Sequence, residues 1–199
     1  MPKNKWDEQF QQNKYTYGKE VNKFIKSKCD LFPDNSNIAC FAEGEGRNAV
    51  YLAKLGHDVT AYDLSSVGLE HASILAKENG VSIQTVEADL IDMELDRNKY
   101  DGGIMVFGHV HDANQKQFIN NMIHAIKPGG YFIFEVYSKA QIDYDTGGPG
   151  LVDMLYDPKV ILDIIRPHKC VHFYYGEAKR IEGYRHTGVG HVIQVVIQK

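Results

Sequence analysis

Cysteine, tryptophan and proline are scarce in this chain, at three, one and six among 199 residues. Cys29, Cys40 and Cys170 lie far apart without C-x-x-C spacing, so reduced, buried thiols are expected and a disulfide scaffold is excluded. No apolar run reaches membrane length, and Met1 to Phe10 is polar rather than signal-like, so a cytoplasmic location away from membranes is expected. Also missing are the G-x-x-x-x-G-K-[ST] phosphate loop, the H-E-x-x-H zinc helix and the G-x-S-x-G nucleophile turn, which removes the corresponding phosphate-transfer and hydrolase chemistries. There is no internal repeat and no low-complexity tract. A surplus of positive charge is absent as well: 22 Lys and Arg against 26 Asp and Glu leave −4, which argues against a nucleic acid held by its phosphates. The lysines between 3 and 28 are diluted by Asp7, Glu8, Glu20 and Asp30 into a solvated helix face.

What is present is enough apolar content, 43%, for one sizeable core, and a single strongly patterned stretch. Ile38 to Phe41 reads as an apolar strand and Ala42-Glu43-Gly44-Glu45-Gly46-Arg47-Asn48 as a glycine turn opening a helix. A second strand then ends in Asp63, as in a nucleoside-binding α/β crevice. Gly44 and Gly46 tolerate unusual backbone angles and let a ligand approach the main chain, while Asp63 is placed to accept hydrogen bonds from two ribose hydroxyls.

Around this stretch, strand and helix alternate. Val21, Phe24, Ile25, Cys29 and Phe32 predict an amphipathic opening helix that ends near Pro33. Strands are predicted at 38–42, 58–62, 82–86, 103–107 and 131–136. The helices between them are closed by Gly56, by Gly80 and by Lys127-Pro128-Gly129-Gly130, and Ser65 or Ser66 caps the second. Such a rhythm requires right-handed crossovers and a parallel sheet covered on both faces. A polar loop follows at 138–150, then a helix capped by Asp157-Pro158, then two strands, 171–179 and 189–197, whose short connection makes them antiparallel neighbours. The expectation is one doubly wound α/β domain. Residues 1–35 supply an N-terminal lid and helix, 36–137 the cofactor-binding half, and 138–199 the substrate-side loop, helix and closing strands.

In order and spacing these features resemble the class I S-adenosylmethionine-dependent methyltransferases, and within them the small tellurite-resistance-type and ubiquinone-biosynthesis-type group. The resemblance takes in Trp6-Asp7-Glu8-Gln9-Phe10, Tyr15-Thr16-Tyr17-Gly18, the Glu43 to Asn48 turn, Asp63-Leu64-Ser65, Ala88-Asp89-Leu90, Gly147-Gly148-Pro149 and the closing Glu182-Gly183 to His186-Thr187-Gly188. It implies a mostly parallel seven-stranded sheet with an antiparallel C-terminal strand, the cofactor S-adenosylmethionine, and methyl transfer to a small molecule such as a soft thiol or metalloid oxyanion. It also implies a monomer or homodimer. Carried onto this sequence, Gly44 and Gly46 lie at the cofactor's amino-acid end, Asp63 holds the ribose, Leu64 packs on the adenine, and Asp89 with the backbone of Leu90 meets the adenine edge. Asn48 and Phe107 complete that set. The family's first-loop acid and first glycine are here Cys40 and Ala42, so Glu43 is the candidate replacement for the acid. Trp6, Tyr15 and Tyr17 fit either a lid over the cofactor or a helix pinned by aromatic packing.

A nicotinamide dehydrogenase is the main alternative, because Gly44 to Ala49 also satisfies G-x-G-x-x-A. Against it stand Asp89, the closing antiparallel pair, and the position of the Tyr-x-x-x-Lys pairs Tyr15/Lys19 and Tyr175/Lys179 away from any active-site helix. A catalytically silent cofactor-binding domain is the third reading. The lack of an Asn-Pro-Pro-Tyr stretch speaks against a nucleic-acid base as acceptor. No catalytic group stands out. His109 and His111, after the fourth strand, fit ordinary loop residues, a substrate-side base or a metal pair, and His109 is the one catalytic candidate; no metal site is assigned. Glu135, Tyr137 and Gln141 border the predicted cleft, either lining the acceptor pocket or bonding the loop.

Overall fold

The computed structural model describes residues 3–12, 15–183 and 186–199. Lys14, Tyr184 and Arg185, and the side chains of Lys3 and His186, lie outside the described residues. Seven strands form one sheet: β1 (Asn37–Phe41), β2 (Asp58–Asp63), β3 (Gln84–Glu87), β4 (Tyr100–Val106), β5 (Ile126–Tyr137), β6 (Lys169–Glu182) and β7 (His186–Gln198). Their spatial order is β3-β2-β1-β4-β5-β7-β6. Neighbours from β3 to β5 are parallel, and β7 runs antiparallel to both β5 and β6. This is the methyltransferase-type Rossmann-like arrangement expected from the sequence.

The helices are α1 (Lys3–Gln12), α2 (Lys23–Lys28), α3 (Arg47–Lys54), α4 (Ser66–Glu78), α5 (Asp112–Ala125) and α6 (Pro158–Ile165). Ile38, Ala39, Cys40 and Phe41 of β1 are all fully buried, as a central strand covered on both faces requires. One core layer packs Phe41, Tyr62, Met105, Phe118, Ile119 and Phe132 on the α5 and α6 side of the sheet. The other packs Phe24, Ile25, Phe32, Ile38, Leu52 and Ile104 on the side of α2 and α3. Ser65 is the cap of α4, its Oγ accepting the Gly68 N–H at 3.1 Å.

Four local expectations are corrected. The predicted opening helix is divided into α2 and a 3-10 turn (Cys29–Leu31), and α1 precedes it. The second correction concerns α5, which stops at Ala125. Residues 127–130 lie inside β5 as an irregularity between the pairs Tyr100↔Ile126 and Gly102↔Tyr131. Third, the 138–150 loop contains a 3-10 turn (Lys139–Asp143) whose Ser138 Oγ accepts the Ala140 N–H. Finally, all three thiols are free, but only Cys29 and Cys40 are buried; Cys170 is exposed because β6 is the edge strand. Among the described residues no helix is long and apolar enough to cross a membrane.

Candidate functional site

The carboxyl ends of β1, β2 and β4 open onto a cavity of about 320 Å³, roofed by α1 on one side and by Gly147, Gly148 and Pro149 on another. At the end of β1 the chain must turn sharply into α3, and Ala42, Gly44 and Gly46 all have φ between 50° and 86°. Gly44 faces the cavity, where an added Cβ would sit 3.2 Å from Phe10 Cζ. Gly46 is a correction to the expected cofactor set. It does not line the cavity, and a Cβ there would sit 2.5 Å from the Ala72 Cβ, so this glycine serves the close approach of α3 to α4. Ala42 carries a Cβ in left-handed backbone, at a cost of about 1–2 kcal/mol.

Two buried carboxylates organise this end. Asp63 Oδ2 accepts the Gly44 N–H at 2.7 Å and Oδ1 the Ser65 N–H at 2.9 Å, which ties the glycine turn to the end of β2. Burial nevertheless pushes its pKa up to about 6. The backbone N–H groups of Ser65, Gly44 and Leu64 all favour the ionised form, and the carboxylate keeps lone-pair capacity for a hydroxyl donor. Glu43 Oε1 accepts the N–H groups of Asn48 and Ala49, both at 2.8 Å. It thereby caps α3, whose N-cap residue Gly46 has no side chain to do so. Burial raises Glu43 to about 7. Asn48 also lines the cavity, and its Oδ1 accepts the Asn22 N–H at 2.9 Å. Leu64, Asp89 and Leu90 line the wall beyond Asp63; Asp89 is exposed, with Oδ1 accepting the Ile91 N–H at 3.0 Å.

The N-terminal segment is fastened to these same turns. Asp7 Oδ1 accepts the Ser65 hydroxyl at 2.6 Å, Phe10 lies against Gly44 and Gly68, and Trp6 stacks on Phe10 at 6.0 Å. Glu45 accepts the backbone N–H groups of Tyr15 and Thr16 and meets His71 Nδ1 at 2.8 Å. Gln9 donates to the Tyr17 hydroxyl at 2.7 Å, and Trp6 and Tyr17 line the cavity. Sequence reasoning gave Asp7, Phe10 and Glu45 no role of their own. The spacing of a carboxylate three residues before an aromatic was the available signal.

The opposite end is aromatic and ionic. Phe107, at φ 56°, stacks on Tyr137 with ring centroids 4.3 Å apart, and the Arg180 guanidinium lies 4.7 Å from the Phe107 ring and 5.0 Å from Tyr137. Arg180 pairs with Glu135 at 3.1 Å, and Arg47 with Glu182 at 2.7 Å. Asn22 Nδ2 joins the two pairs, donating to Glu135 at 2.6 Å and to Glu182 at 3.1 Å, and Gln194 also donates to Glu135 at 2.9 Å. Burial raises the Glu135 pKa, with Arg180 opposing it. Tyr137 is pushed up to about 12 by burial. Of this set Phe107, Glu135 and Tyr137 were singled out from sequence. Arg180 and Glu182 alternate along β6, and only the strand pairing brings them to the site.

His109 lines the cavity, with Nδ1 2.9 Å from the Met154 carbonyl oxygen, and burial holds its pKa down at about 4. His111 and Gln141 are corrections to the substrate-side set. His111 points outward with its side chain 58% exposed, between Asp112 at 2.9 Å and Asp153 at 3.1 Å. Gln141 is buried behind the wall, donating to Gly147 O and accepting from the His191 N–H at 2.6 Å, so it shapes the loop without lining the cavity. Among the described residues no cluster of three or more His, Cys, Asp or Glu is arranged to hold a metal.

Residues 38–130 match the family model described as "Methyltransferase domain". The chain is similar to the ubiquinone biosynthesis O-methyltransferase of Rickettsia akari (strain Hartford), 36% identical over 104 residues, which are 52% of this chain and 41% of that protein. To the protein of the same description from Rickettsia canadensis (strain McKiel) it is 37% identical over 105 residues, 52% and 44% of the two chains. The matched stretch thus spans less than half of either relative. Among solved structures, TehB from Haemophilus influenzae superposes with a TM-score of 0.75 at 16% identity, over 98% of this chain and 67% of that one. A SAM-dependent methyltransferase from Methanosarcina mazei superposes at 0.71 with 13% identity, over 90% and 98%. At these identities the structural likeness is one of fold.

Proposed function

We propose that this chain, which carries a class I S-adenosylmethionine-dependent methyltransferase domain, transfers a methyl group from S-adenosylmethionine to a small-molecule acceptor. The observation that carries the proposal is the coupling of Asp63 to Gly44 at the mouth of β1 and β2, inside the stretch that matches the family. The residues present fit the cofactor. Asp63 offers a buried carboxylate with spare lone pairs for the ribose, Leu64 and Leu90 an apolar slot with Asp89 at its rim for the adenine, and Glu43 with Asn48 a polar end for the amino acid. Trp6 and Tyr17 close the cavity from above and keep water out.

The cofactor supplies an already activated methyl group on a sulfonium. The protein's part is to hold the acceptor in line and to exclude water, which the Phe107 and Tyr137 rings and the glycine loop do from the acceptor side. The tellurite-type likeness is one of fold alone and does not extend to the acceptor. Isothermal titration with S-adenosylmethionine, S-adenosylhomocysteine and NAD is the test. Both sulfur nucleosides are expected to bind, and a response to NAD alone would replace this reading with the dehydrogenase one.

A further inference from the structure

We infer that the chain forms a homodimer in which β6 pairs with β6 of a second copy, antiparallel and about a twofold axis at Ala178. The two edges of the sheet are unlike. β3, at one edge, is four residues long, and short edge strands are a common protection against stray pairing. β6, at the other, runs for 14 residues without a proline, and its irregularity lies near its start, between Cys170 and His172. On its outer side it presents a long row of backbone N–H and C=O groups that no other strand among the described residues pairs.

The order of side chains marks a second copy as the missing neighbour. From His172 onward the pairing with β7 is regular, so successive side chains alternate between the two faces of the sheet. Arg180 and Glu182 turn to the face where they meet Glu135 and Arg47. Tyr175, Glu177, Lys179 and Ile181 share the other face and are all exposed, Tyr175 at 47% and Ile181 at 69%. A twofold axis perpendicular to the sheet at Ala178 sets Glu177 of each copy opposite Lys179 of the other, and Tyr175 opposite Ile181. Opposite charges and an aromatic facing a β-branched residue are both favourable cross-strand pairs, and the symmetry makes each of them twice. Moving the axis by two residues sets Glu177 opposite Glu177 or Lys179 opposite Lys179, so the charges select a single register.

The contacts within one chain leave these groups able to pair. The Tyr144 hydroxyl donates to Glu177 Oε1 at 2.7 Å, which leaves Oε2 for the lysine. The Tyr174 hydroxyl donates to the Glu177 carbonyl at 2.7 Å and takes one of its two lone pairs. The Tyr175 ring is steadied edge-on against His191, with centroids 4.6 Å apart. A second β6 also holds from outside the strand that carries Arg180 to its place behind the Phe107 and Tyr137 rings.

Sedimentation velocity of the full chain tests this. At about 100 μM, above the micromolar range of weak specific interfaces, the parent should sediment at twice the 22.5 kDa chain mass. Glu177→Lys puts like charges opposite each other at two points and should raise the dissociation constant by about tenfold or more. Combining Glu177→Lys with Lys179→Glu remakes both ion pairs in reversed order and should return it to within about threefold of the parent. Cys29 and Cys40 are buried, so in a Cys170→Ser background Ala178→Cys tests the axis itself. Residues directly opposite in an antiparallel pair have Cα atoms about 4.5–5.5 Å apart, within disulfide reach, and mild oxidation should give a covalent dimer. A single-chain mass for the parent, a dimer indifferent to Glu177→Lys, a charge reversal that fails to restore it, or no cross-link at Ala178→Cys each overturns the inference, with unchanged circular dichroism as the check that every variant is folded.

Discussion

Around Asp63 and Glu43 the backbone hydrogen-bond donors are near neighbours in the chain, whereas around Glu135, behind the Phe107 and Tyr137 rings, the partners come from far apart. Asp63 reaches Gly44 across 19 positions and Ser65 across two, and Glu43 caps a helix five and six positions on. Glu135, in contrast, is met by Asn22, Arg180 and Gln194, which are 113, 45 and 59 positions away. The family match, residues 38–130, stops just short of Glu135. Local turns suffice to place backbone N–H groups and a carboxylate around a nucleoside. The network around Glu135 is assembled from long-range side-chain pairs, beyond the stretch that the family model matches.

The sharpest way to break this contrast is Glu135→Ala. It leaves the Arg180 cation buried against aromatic rings without its carboxylate and should cost about 3–5 kcal/mol in urea unfolding. A loss below about 1 kcal/mol would mean that the ion pairs behind the aromatic rings are not structural. On the cofactor side, Asp63→Ala should act on the ligand instead, weakening S-adenosylhomocysteine by at least about tenfold in titration calorimetry, from the loss of charge-assisted hydrogen bonds. Unchanged affinity would take Asp63 out of the site.

The pH dependence of stability divides along the same line. Glu43 and Asp63 have folded pKa values raised to about 7 and about 6, so their contributions are fully present below the usual carboxylate range and are lost as pH rises through those values. His109, held down at about 4, contributes in the opposite sense: its part is present above the ordinary histidine value and is lost as pH falls toward about 4. Each group can change stability by about 1.4 kcal/mol per pH unit at most inside its window. Denaturant midpoints between pH 5 and 7 should therefore fall more steeply with rising pH in His109→Gln than in the parent, and parallel curves would refute the assignment. The smallest effect is expected at Ala42→Gly, which relieves left-handed backbone on the cofactor side but frees the unfolded chain, for a net gain under about 1 kcal/mol in thermal unfolding.

The parts legible in the sequence were those with short-range causes. The β1 turn, the Ser65 cap, Asp63 at the end of β2 and the antiparallel β6–β7 pair all follow from spacing and residue type. Gly46 was misassigned because a ligand's approach and a helix's approach demand the same missing Cβ, and only the Ala72 contact separates them. α1 went unseen because a polar ten-residue segment that buries Phe10 has almost no apolar period to detect. His109 and His111 are indistinguishable as letters in a loop; the Met154 carbonyl and the Asp153 carboxylate, some forty residues on, send one inward and the other out. Arg180 and Glu182 required knowledge of which strand lies beside which.

The insertion of β7 between β5 and β6 makes one strand the fastening of two others. β7 is the sole sheet neighbour of β6 within the chain, and without it the outer edge of β5 would be bare as well. Two strand edges, one carrying Val171, Tyr174, Tyr175 and Ile181 outward, would then lie open, the situation in which neighbouring chains pair wrongly. Arg180 and Glu182 are on β6, so their ion pairs with Glu135 and Arg47 depend on β7 holding that strand to the sheet. Displacing β7 should therefore break those ion pairs while leaving the Asp63–Gly44 contact in place.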